Sequence, residues 1–279
     1  MNLKQLPAIV LLLIVQSLQA QESFNLVFKY QPGTTYWYRS VDTFTSRQED
    51  NGQEMKIDGG NNNLLKLEVI SAASDGSMTF ISSYDEMKTM LKSPMMDTII
   101  SQDDLNRDRM KVVLSKNGKE LSKMMLDSTD NSRTKSIMTM TSTHDVSFFQ
   151  LPGRPIAAGE KWTAEINDST NFGGGYTLKT GAIEYTLTGF EQKNGHNCLK
   201  IDFLSKSEQV GKVKQMGMDV YLEGTGDSKG SIWYDATAGI LVQRESTSLN
   251  DMTIAITGPM TLSIPMVENI KSTCSLVEK

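Results

Sequence analysis

The segment Gly226–Gly230 reads Gly-Asp-Ser-Lys-Gly and matches the G-x-S-x-G pattern of serine hydrolases. That motif works because a tight turn from a strand into a helix lifts the serine hydroxyl clear of its sheet, close to a histidine base. Here the chain continues as Ser-Ile-Trp-Tyr over residues 231–234, which is typical of a strand, and the sequence has only two histidines, His144 and His196. We therefore expect a glycine-rich strand or bulge and predict no catalytic residues.

Metal and cofactor motifs are incomplete. Asp104, Asn106 and Asp108 match the first three ligand positions of a calcium loop, but Arg109 replaces its glycine and Ser115 its closing glutamate. A twelve-residue loop needs both for its turn and its bidentate ligand, so we expect a solvated acidic loop. Histidine is too scarce for a zinc site, and no phosphate-binding glycine loop or C-x-x-C pair occurs. The sequence predicts no metal and no cofactor.

The two cysteines, Cys198 and Cys274, leave two alternatives open. In an oxidising compartment they could form one disulfide closing a loop of about 75 residues. Equally, both could be buried thiols, because the sequence does not supply the separation of their Cα atoms.

Methionine is abundant, with 17 residues in the chain. Many occupy alternating positions that suit an ordinary core, and methionine also lines adaptable apolar grooves. A third explanation is a Cu(I) site, because thioethers are soft ligands. The pairs to consider for it are Met216 with Met218 and Met87 with Met90.

The elements that must position these residues are strands. Alternating apolar residues flank Asp75-Gly76 and Asn194-Gly195, a strong hairpin signal. Similar alternation occurs from Met216 to Leu222, at Ile254 and Ile256, and from Met260 to Met266. The sequence thus predicts a mainly β fold of long, antiparallel, strongly twisted sheets, arranged as a half-barrel or a sandwich.

Two other kinds of segment are predicted among the strands. The polar stretches Asp58–Asn63 and Asn171–Gly175 are expected to be exposed loops. Apolar residues at helical spacing predict one or two short helices, at Leu121–Met125 and Ile137–Met140.

Three glycine turns recur along the chain in the same order. Gly33 and Gly159 are 126 residues apart, Gly76 and Gly195 are 119 apart, and Gly118 and Gly239 are 121 apart. Internal repeats of this kind predict a duplicated module. The expected organisation is a first β module over 21–127, a connecting region over 128–154 and a second β module over 155–279.

Residues 1–20 have the features of a cleavable export signal: Lys4, the apolar run Ala8–Val15, and Ala20 before a polar segment. Removing them leaves 259 residues with 27 basic and 33 acidic side chains, a formal charge of −6. This mild acidity disfavours nucleic-acid binding. We predict a secreted or periplasmic protein without a transmembrane segment after signal removal.

The PGTTYW segment at Pro32–Trp37, the Leu151–Trp162 segment and the GSIWYDATAGILV run at Gly230–Val242 resemble an uncharacterised family of secreted bacterial proteins, a domain of unknown function. The resemblance implies no catalytic residues. More distantly, long curved strands in an exported protein are similar to the lipoprotein-carrier half-barrels of the bacterial envelope, a likeness of fold alone.

Two functions follow from these observations. The first is a non-enzymatic binding protein that holds an apolar ligand or a partner segment in a concave surface containing methionine. The alternative is a structural or assembly component of the cell envelope that contacts an envelope protein through edge strands or loops. No ligand-binding residue is assigned from the sequence.

Overall fold

The computed structural model describes residues 23–50, 52–94, 96–101, 109–126, 148–172, 175–215, 218–258 and 261–278, which form fourteen strands and no helix. The strands are β1 (Ser23–Phe24), β2 (Thr35–Asp50), β3 (Gln53–Ala72), β4 (Met78–Ser93), β5 (Met96–Ser101), β6 (Met110–Leu114), β7 (Glu120–Met125), β8 (Ile156–Ala157), β9 (Lys161–Phe172), β10 (Gly175–Lys193), β11 (His196–Gln215), β12 (Met218–Asp235), β13 (Ile240–Thr257) and β14 (Leu262–Val277).

Twelve strands form one antiparallel sheet. Eleven of them follow the order β7-β6-β4-β3-β2-β14-β13-β12-β11-β10-β9, and β5 pairs with the carboxyl-terminal end of β4. β1 and β8 form a separate antiparallel pair. The predicted mainly β class with long antiparallel strands is confirmed: β3 and β11 contain 20 residues each. Among the described residues, the end strands β7 and β9 pair on one side only, so the sheet is not closed into a barrel.

One predicted helix is wrong. Leu121, Met124 and Met125 lie in β7, which pairs with β6. Their spacing does not produce a buried helical stripe, because Leu121 and Met124 are 55% and 54% exposed. The other predicted helix, Ile137–Met140, lies outside the described residues.

The predicted loop at Asp58–Asn63 is also wrong, because this polar stretch lies inside β3. Its asparagines are held by neighbouring strands: Thr89 donates to the Asn61 side chain at 2.8 Å, and the Lys88 amide donates to Asn63 Oδ1 at 3.3 Å. Polar residues thus tolerate a strand interior when their hydrogen bonds are satisfied there. Of the predicted loop at Asn171–Gly175, Asn171 lies in β9 and Gly175 in β10, and residues 173 and 174 lie outside the described residues.

The packed core lies at one end of the long strands, which we call the base; their opposite end is the distal end. The face that carries Tyr38, Leu187, Ile201 and Ile232 into this core is the inner face. Side chains alternate between faces along a strand, so every second residue from these positions also points inward. The strands of both predicted modules contribute to this single core.

Two segments outside the long strands fill the inner face at the base. The first lies between β1 and β2, and the second immediately precedes β8. Phe28 comes from the first and Phe149 from the second, and their ring centroids are 5.6 Å apart. Phe149 also packs edge-to-face on Tyr234 at 5.8 Å. Such aromatic contacts add to the free energy of burial. The base of the concave sheet is therefore occupied by the chain itself.

The second segment also connects the two ends of the sheet. The Leu151 amide donates to the Asn117 carbonyl oxygen in the β6–β7 turn at 2.8 Å. On the other side, Trp162 Nε1 of β9 donates to the Gln150 carbonyl oxygen at 2.8 Å. This segment therefore keeps the bases of β7 and β9 on either side of it.

The two predicted modules share turn geometry and strand order. Counted across the sheet from β7, the strands of each module follow one another in reverse sequence order. The first module has the order β7-β6-β4-β3-β2, the second has β13-β12-β11-β10-β9, and β14 lies between them. Gly33 and Gly159 both have positive φ, 82° and 86°. Matching main-chain hydrogen bonds hold both turns: Gly33 N to Val69 O (2.8 Å), Val69 N to Thr34 O (3.0 Å), Gly159 N to Leu187 O (2.7 Å) and Leu187 N to Glu160 O (3.1 Å). The duplication stays a prediction, and these bonds support it.

One segment contacts both ends of the sheet at the base, so the sheet curls toward its inner face there, and glycines permit close approach of neighbouring strands. A Cβ atom at Gly230 of β12 would overlap the Glu245 carbonyl oxygen of β13. At Gly181 of β10 it would overlap the Lys206 carbonyl oxygen of β11. Only glycine permits neighbouring backbones to approach so closely, which is how curved sheets bend.

Candidate functional site

The inner face near the distal end is apolar. Three cross-strand rows on β11–β14 are defined by the strand register. We call their nine apolar side chains the distal patch; its members are Val213, Val220, Ile256, Leu262, Leu222, Ile254, Ile264, Met252 and Met266. All nine are half-buried, and neither packed core cluster includes them. The patch is therefore an apolar surface separate from the core.

The outer face at the same height is polar by contrast. Lys212 lies over the Tyr221 ring at 4.9 Å and forms an ion pair with Asp219 at 3.3 Å. The hydrogen bonds to Tyr221 and Asp219 raise the pKa of Lys212. The outer face of the same strands carries Tyr221 and Val210, but most of its residues are polar, so the distal patch is a property of the inner surface.

Between the distal patch and the base, the inner face of β11–β13 carries small and polar side chains. Ser228 and Ser248 hydroxyls are 2.8 Å apart, and Asn250 donates to Glu268 Oε2 at 3.1 Å. The Ser207 hydroxyl donates to the Gly226 carbonyl oxygen at 3.2 Å. On β11–β13 this belt separates the distal patch from the base, whereas in the Ser228–Ser248 row β14 and β2 carry the apolar Ile270 and Phe44.

The inner-face acid Asp42 on β2 is already engaged. The Ser272 hydroxyl donates to the Asp42 carboxylate. Burial raises the pKa of Asp42, although hydrogen bonds from Ser272, Asn61 and Ser40 oppose that rise. A half-buried, hydrogen-bonded carboxylate of this kind stabilises neighbouring strands and has few free lone pairs for a ligand.

Lys179 of β10 is the cation nearest the distal patch by strand register. It lies in the cross-strand row of Gln209, Gly224, Met252 and Met266. The side chain has access to solvent but sits in a concave surface, where protein displaces part of its water. Partial desolvation lowers the pKa of Lys179, the Arg244 charge lowers it further, and the Asp168 charge opposes both.

An open trough of about 730 Å³ lies on the outer face of β9–β14. Charged side chains line it, and several are paired: Lys161 Nζ is 2.8 Å from Glu184 Oε1, and Ser231 donates to Asp202 Oδ1 at 2.6 Å. Its lining contains no methionine. A shallow polar trough offers an apolar ligand little surface, so this concavity is not the methionine-containing surface that the sequence predicts.

The residues of the hydrolase-like motif lie in β12, with Ser228 bonded to Ser248. His196 Nδ1 is 2.8 Å from Asp235 Oδ2 in another part of the sheet, and His144 lies outside the described residues. The structure therefore does not bring Ser228 and His196 together. Gly226–Gly230 is part of a strand, as the sequence predicted.

The candidate metal ligands are also placed apart. Within the described ranges, no group of three or more His, Cys, Asp or Glu residues is arranged to hold a metal ion. Met87 is buried and Met90 is 50% exposed on the opposite face of β4, so they do not share a site. Asp104, Asn106, Asp108 and Met216 lie outside the described residues.

Both cysteines are free and buried. Cys198 packs with Trp233 and Val242 on the outer side of the sheet, whereas Cys274 belongs to the inner core. Of the two alternatives, the structure has the unpaired thiols rather than a disulfide. Burial raises the pKa of Cys198 to about 11, with Asp235 and Glu191 adding to the rise, so its thiol is unreactive at neutral pH.

Comparison with known proteins finds no family model and no curated protein that matches the chain. Among solved structures it is similar to OccK5 (OpdH) of Pseudomonas aeruginosa, with a TM-score of 0.27 and 6% identity over 88% of this chain and 99% of that chain. It is also similar to OmpF of Salmonella typhi in complex with daunomycin, with a TM-score of 0.26 and 7% identity over 88% and 100%. TM-scores this low carry no argument about function.

None of the described segments contains a helix long and apolar enough to cross a membrane.

Proposed function

We propose that this protein is an exported, non-enzymatic binding protein of the envelope or the exterior, and that it holds the alkyl chain of a ligand against the distal patch. The single observation that carries the proposal is the distal patch itself, a set of half-buried apolar side chains on one face of β11–β14 and outside the core. Contiguous apolar surface that the core does not use is typical of an interaction site.

The chemistry of the patch suits an alkyl chain. It presents branched aliphatic residues and two methionines, Met252 and Met266, with no aromatic ring among them. Methionine side chains adapt to a flexible ligand, and each buried CH₂ group of the ligand contributes about 0.8 kcal/mol. The polar belt at the Ser228–Ser248 level limits how far an alkyl chain that lies on β12 and β13 can extend toward the base with a gain in free energy.

Binding of dodecanol, measured by its displacement of the neutral dye Nile red, tests this proposal. Ile254→Asn places a polar group in the distal patch and should weaken dodecanol binding about tenfold, the cost of about one buried apolar side chain. Leu249→Asn is the matched control, because Leu249 is an exposed outer-face residue of the same strand. Absence of dodecanol binding to the wild type, or equal loss in both variants, would contradict the proposal.

A second candidate function is assembly through an edge strand. β7 pairs on one side only among the described residues, and its Leu121 and Met124 are exposed. Open strand edges accept an added strand from a partner. A photoreactive residue at position 124 should then give one adduct of defined mass in cells, whereas one at the exposed position 90, in the paired strand β4, should not.

A further inference from the structure

Glu268 is an acid at the border of the distal patch. It lies on the inner face of β14, two residues and therefore about 7 Å along the strand from Met266 of the patch. Asn250 donates to its Oε2 atom at 3.1 Å, and within the described part of the chain Glu268 has no other hydrogen-bond donor and no ion pair. Its Oε1 atom can therefore bind a group that lies beside the patch.

A buried hydroxyl without a partner lies directly opposite this acid. Ser46 of β2 is the register partner of Glu268 and is 4% exposed, yet its Oγ atom has no hydrogen-bond partner among the described residues. Opposed residues of neighbouring strands have Cβ atoms about 5 Å apart, so one small polar group can contact both side chains. Buried hydroxyls normally have a partner, and this one indicates a polar group that the protein itself does not supply.

A third oxygen acceptor lies at the same border. Gln48, two residues from Ser46 on β2, directs its Nε2 atom at the Met266 sulfur at 3.4 Å, and its carbonyl oxygen accepts no hydrogen bond from the described residues. The carboxylate of Glu268, the hydroxyl of Ser46 and the carbonyl of Gln48 thus form a set of acceptors with one negative charge. Such a set favours a cation that carries several N–H donors.

The other charges of the distal half also favour a cation. From the row of Glu268 to the distal end, the charged inner-face side chains that the structure describes are Glu268, a second acid, Asp168, and one base, Lys179, which is the register partner of Asp168. Lys179 is four strands from Glu268, and Arg244 is three rows from it toward the base, each about 20 Å along the sheet. The negative charge of Glu268 is therefore not neutralised by a neighbour.

We propose that the ligand is a single-chain amphiphile with a primary ammonium head group, which the Glu268 carboxylate and the Ser46 hydroxyl bind while the alkyl chain lies on the distal patch. The inference rests on the proposed function. A primary ammonium has three N–H donors, as many as the acceptors of Glu268, Ser46 and Gln48. The Met252–Met266 pair lies in the next row, so the alkyl chain attached to this head group enters the patch directly.

The test begins with the wild type as the full-length mature protein at pH 7.5, where an alkyl amine is protonated as lysine is. Displacement of Nile red compares dodecylammonium, dodecyltrimethylammonium, dodecanol and dodecanoate, each below its micelle concentration or solubility limit. Dodecylammonium should bind about tenfold more tightly than dodecanol, the value of about one charge-assisted hydrogen bond, and dodecanoate more weakly than dodecanol. Dodecyltrimethylammonium has the charge but no N–H donor, so it should bind more weakly than dodecylammonium.

Variants then assign the effect to residues. Glu268→Gln keeps the shape of the side chain but removes its charge, so it should weaken dodecylammonium binding about tenfold and leave dodecanol binding within about twofold of the wild type. Glu223→Gln makes the same change at an exposed outer-face position of β12 and is the matched control. Ser46→Ala should weaken dodecylammonium binding about threefold without lowering the melting temperature, because the hydroxyl it removes has no partner in the described protein.

Several results would overturn the proposal. Dodecylammonium that binds no more tightly than dodecanol to the wild type would do so without any variant. No loss in Glu268→Gln, or equal loss in Glu268→Gln and Glu223→Gln, would contradict the role of Glu268. Equal affinity for the two ammonium compounds, or a lower melting temperature of Ser46→Ala, would contradict a hydrogen bond from the ligand to Ser46. In all these results dodecanol still binds, so they are distinct from failure of the proposed function, in which dodecanol itself does not bind.

Discussion

The hydroxyl groups of Tyr30 and Tyr38 are 2.8 Å apart in the fully buried base of the sheet. Tyr38 donates to the Leu241 carbonyl oxygen at 2.9 Å, and the Leu241 amide donates to the Tyr30 hydroxyl at 3.2 Å. Because the Tyr38 proton is used by Leu241, Tyr30 must donate to Tyr38. The three residues therefore form a closed network that joins the amino-terminal segment, β2 and β13. Burial raises the pKa of both tyrosines, so both stay neutral.

Removing one hydroxyl from this network should destabilise the protein. Tyr30→Phe leaves the Leu241 amide without an acceptor, and Tyr38→Phe leaves the Leu241 carbonyl without a donor. Each orphaned buried group costs about 1–3 kcal/mol of unfolding free energy. The double variant should lose less than the sum, because both hydroxyls serve one network. Urea denaturation gives the three values.

Tyr176→Phe is the control for these variants, because Tyr176 is 44% exposed on the outer face of β10. Its unfolding free energy should stay within about 0.5 kcal/mol of the wild type. Strict additivity of Tyr30→Phe and Tyr38→Phe would contradict a shared network.

The curl of the sheet predicts a strong effect at Gly230. Alanine normally stabilises a strand relative to glycine by about 0.5–1 kcal/mol, but at Gly230 its Cβ would overlap the Glu245 carbonyl oxygen and approach Phe203 to 2.9 Å. We expect Gly230→Ala to lose roughly 1–3 kcal/mol, as overpacked sites do. Gly211→Ala is the control, because its nearest contacts are at 3.1 Å. A Gly230→Ala protein as stable as Gly211→Ala would argue against close backbone approach at this point.

The fold class was predictable because local signals and global structure agree. The turns at Asp75-Gly76 and Asn194-Gly195 connect β3 to β4 and β10 to β11, as the alternating residues around them predict. Hairpins depend on adjacent residues only, so one sequence suffices to predict them. The strand at Asp58–Asn63 was not predictable, because Asn61 and Asn63 are satisfied by residues of β4 that lie 28 and 25 positions away.

The candidate site was predictable in kind but not in place. Surplus methionine and one-sided strands predict an apolar inner surface, and the position of Met252 and Met266 on such a surface is consistent with it. Lys179 was missed, although the alternation from Leu187 through Tyr185 extends to it and places it inward. What the alternation does not supply is strand order, which brings Lys179 into the row of the two methionines.

The two cysteines predict a distinct labelling pattern. In the folded protein at pH 8, iodoacetamide should modify Cys198 very slowly, because its thiol is buried and its pKa is raised to about 11. After denaturation without a reductant, both Cys198 and Cys274 should be modified, which mass spectrometry detects as two added groups. Modification only after addition of a reductant would show a disulfide and contradict the structure.

The Asp235 carboxylate predicts how stability depends on pH. It accepts the amides of Thr237 and Ala238 at 2.9 and 2.8 Å in the β12–β13 turn, and His196 lies 2.8 Å from its other oxygen. Burial alone would raise the pKa of Asp235, but these hydrogen bonds outweigh it and lower the pKa. A lowered pKa in the folded state stabilises the fold above the unfolded value of about 3.9, and this stabilisation is lost as the pH falls through the folded value.

Asp235→Asn removes this contribution while preserving the shape of the side chain. At pH 6 the variant should be less stable than the wild type by about 1 kcal/mol, since a charged acceptor is replaced by a neutral one. The difference should shrink as the pH falls below about 4, because protonated Asp235 then resembles asparagine in charge. Asp251→Asn, at an exposed outer-face position of β13, is the control and should change stability little at either pH. Urea denaturation at several pH values measures both variants, and a difference that stays constant down to pH 3 would contradict a role for the Asp235 charge.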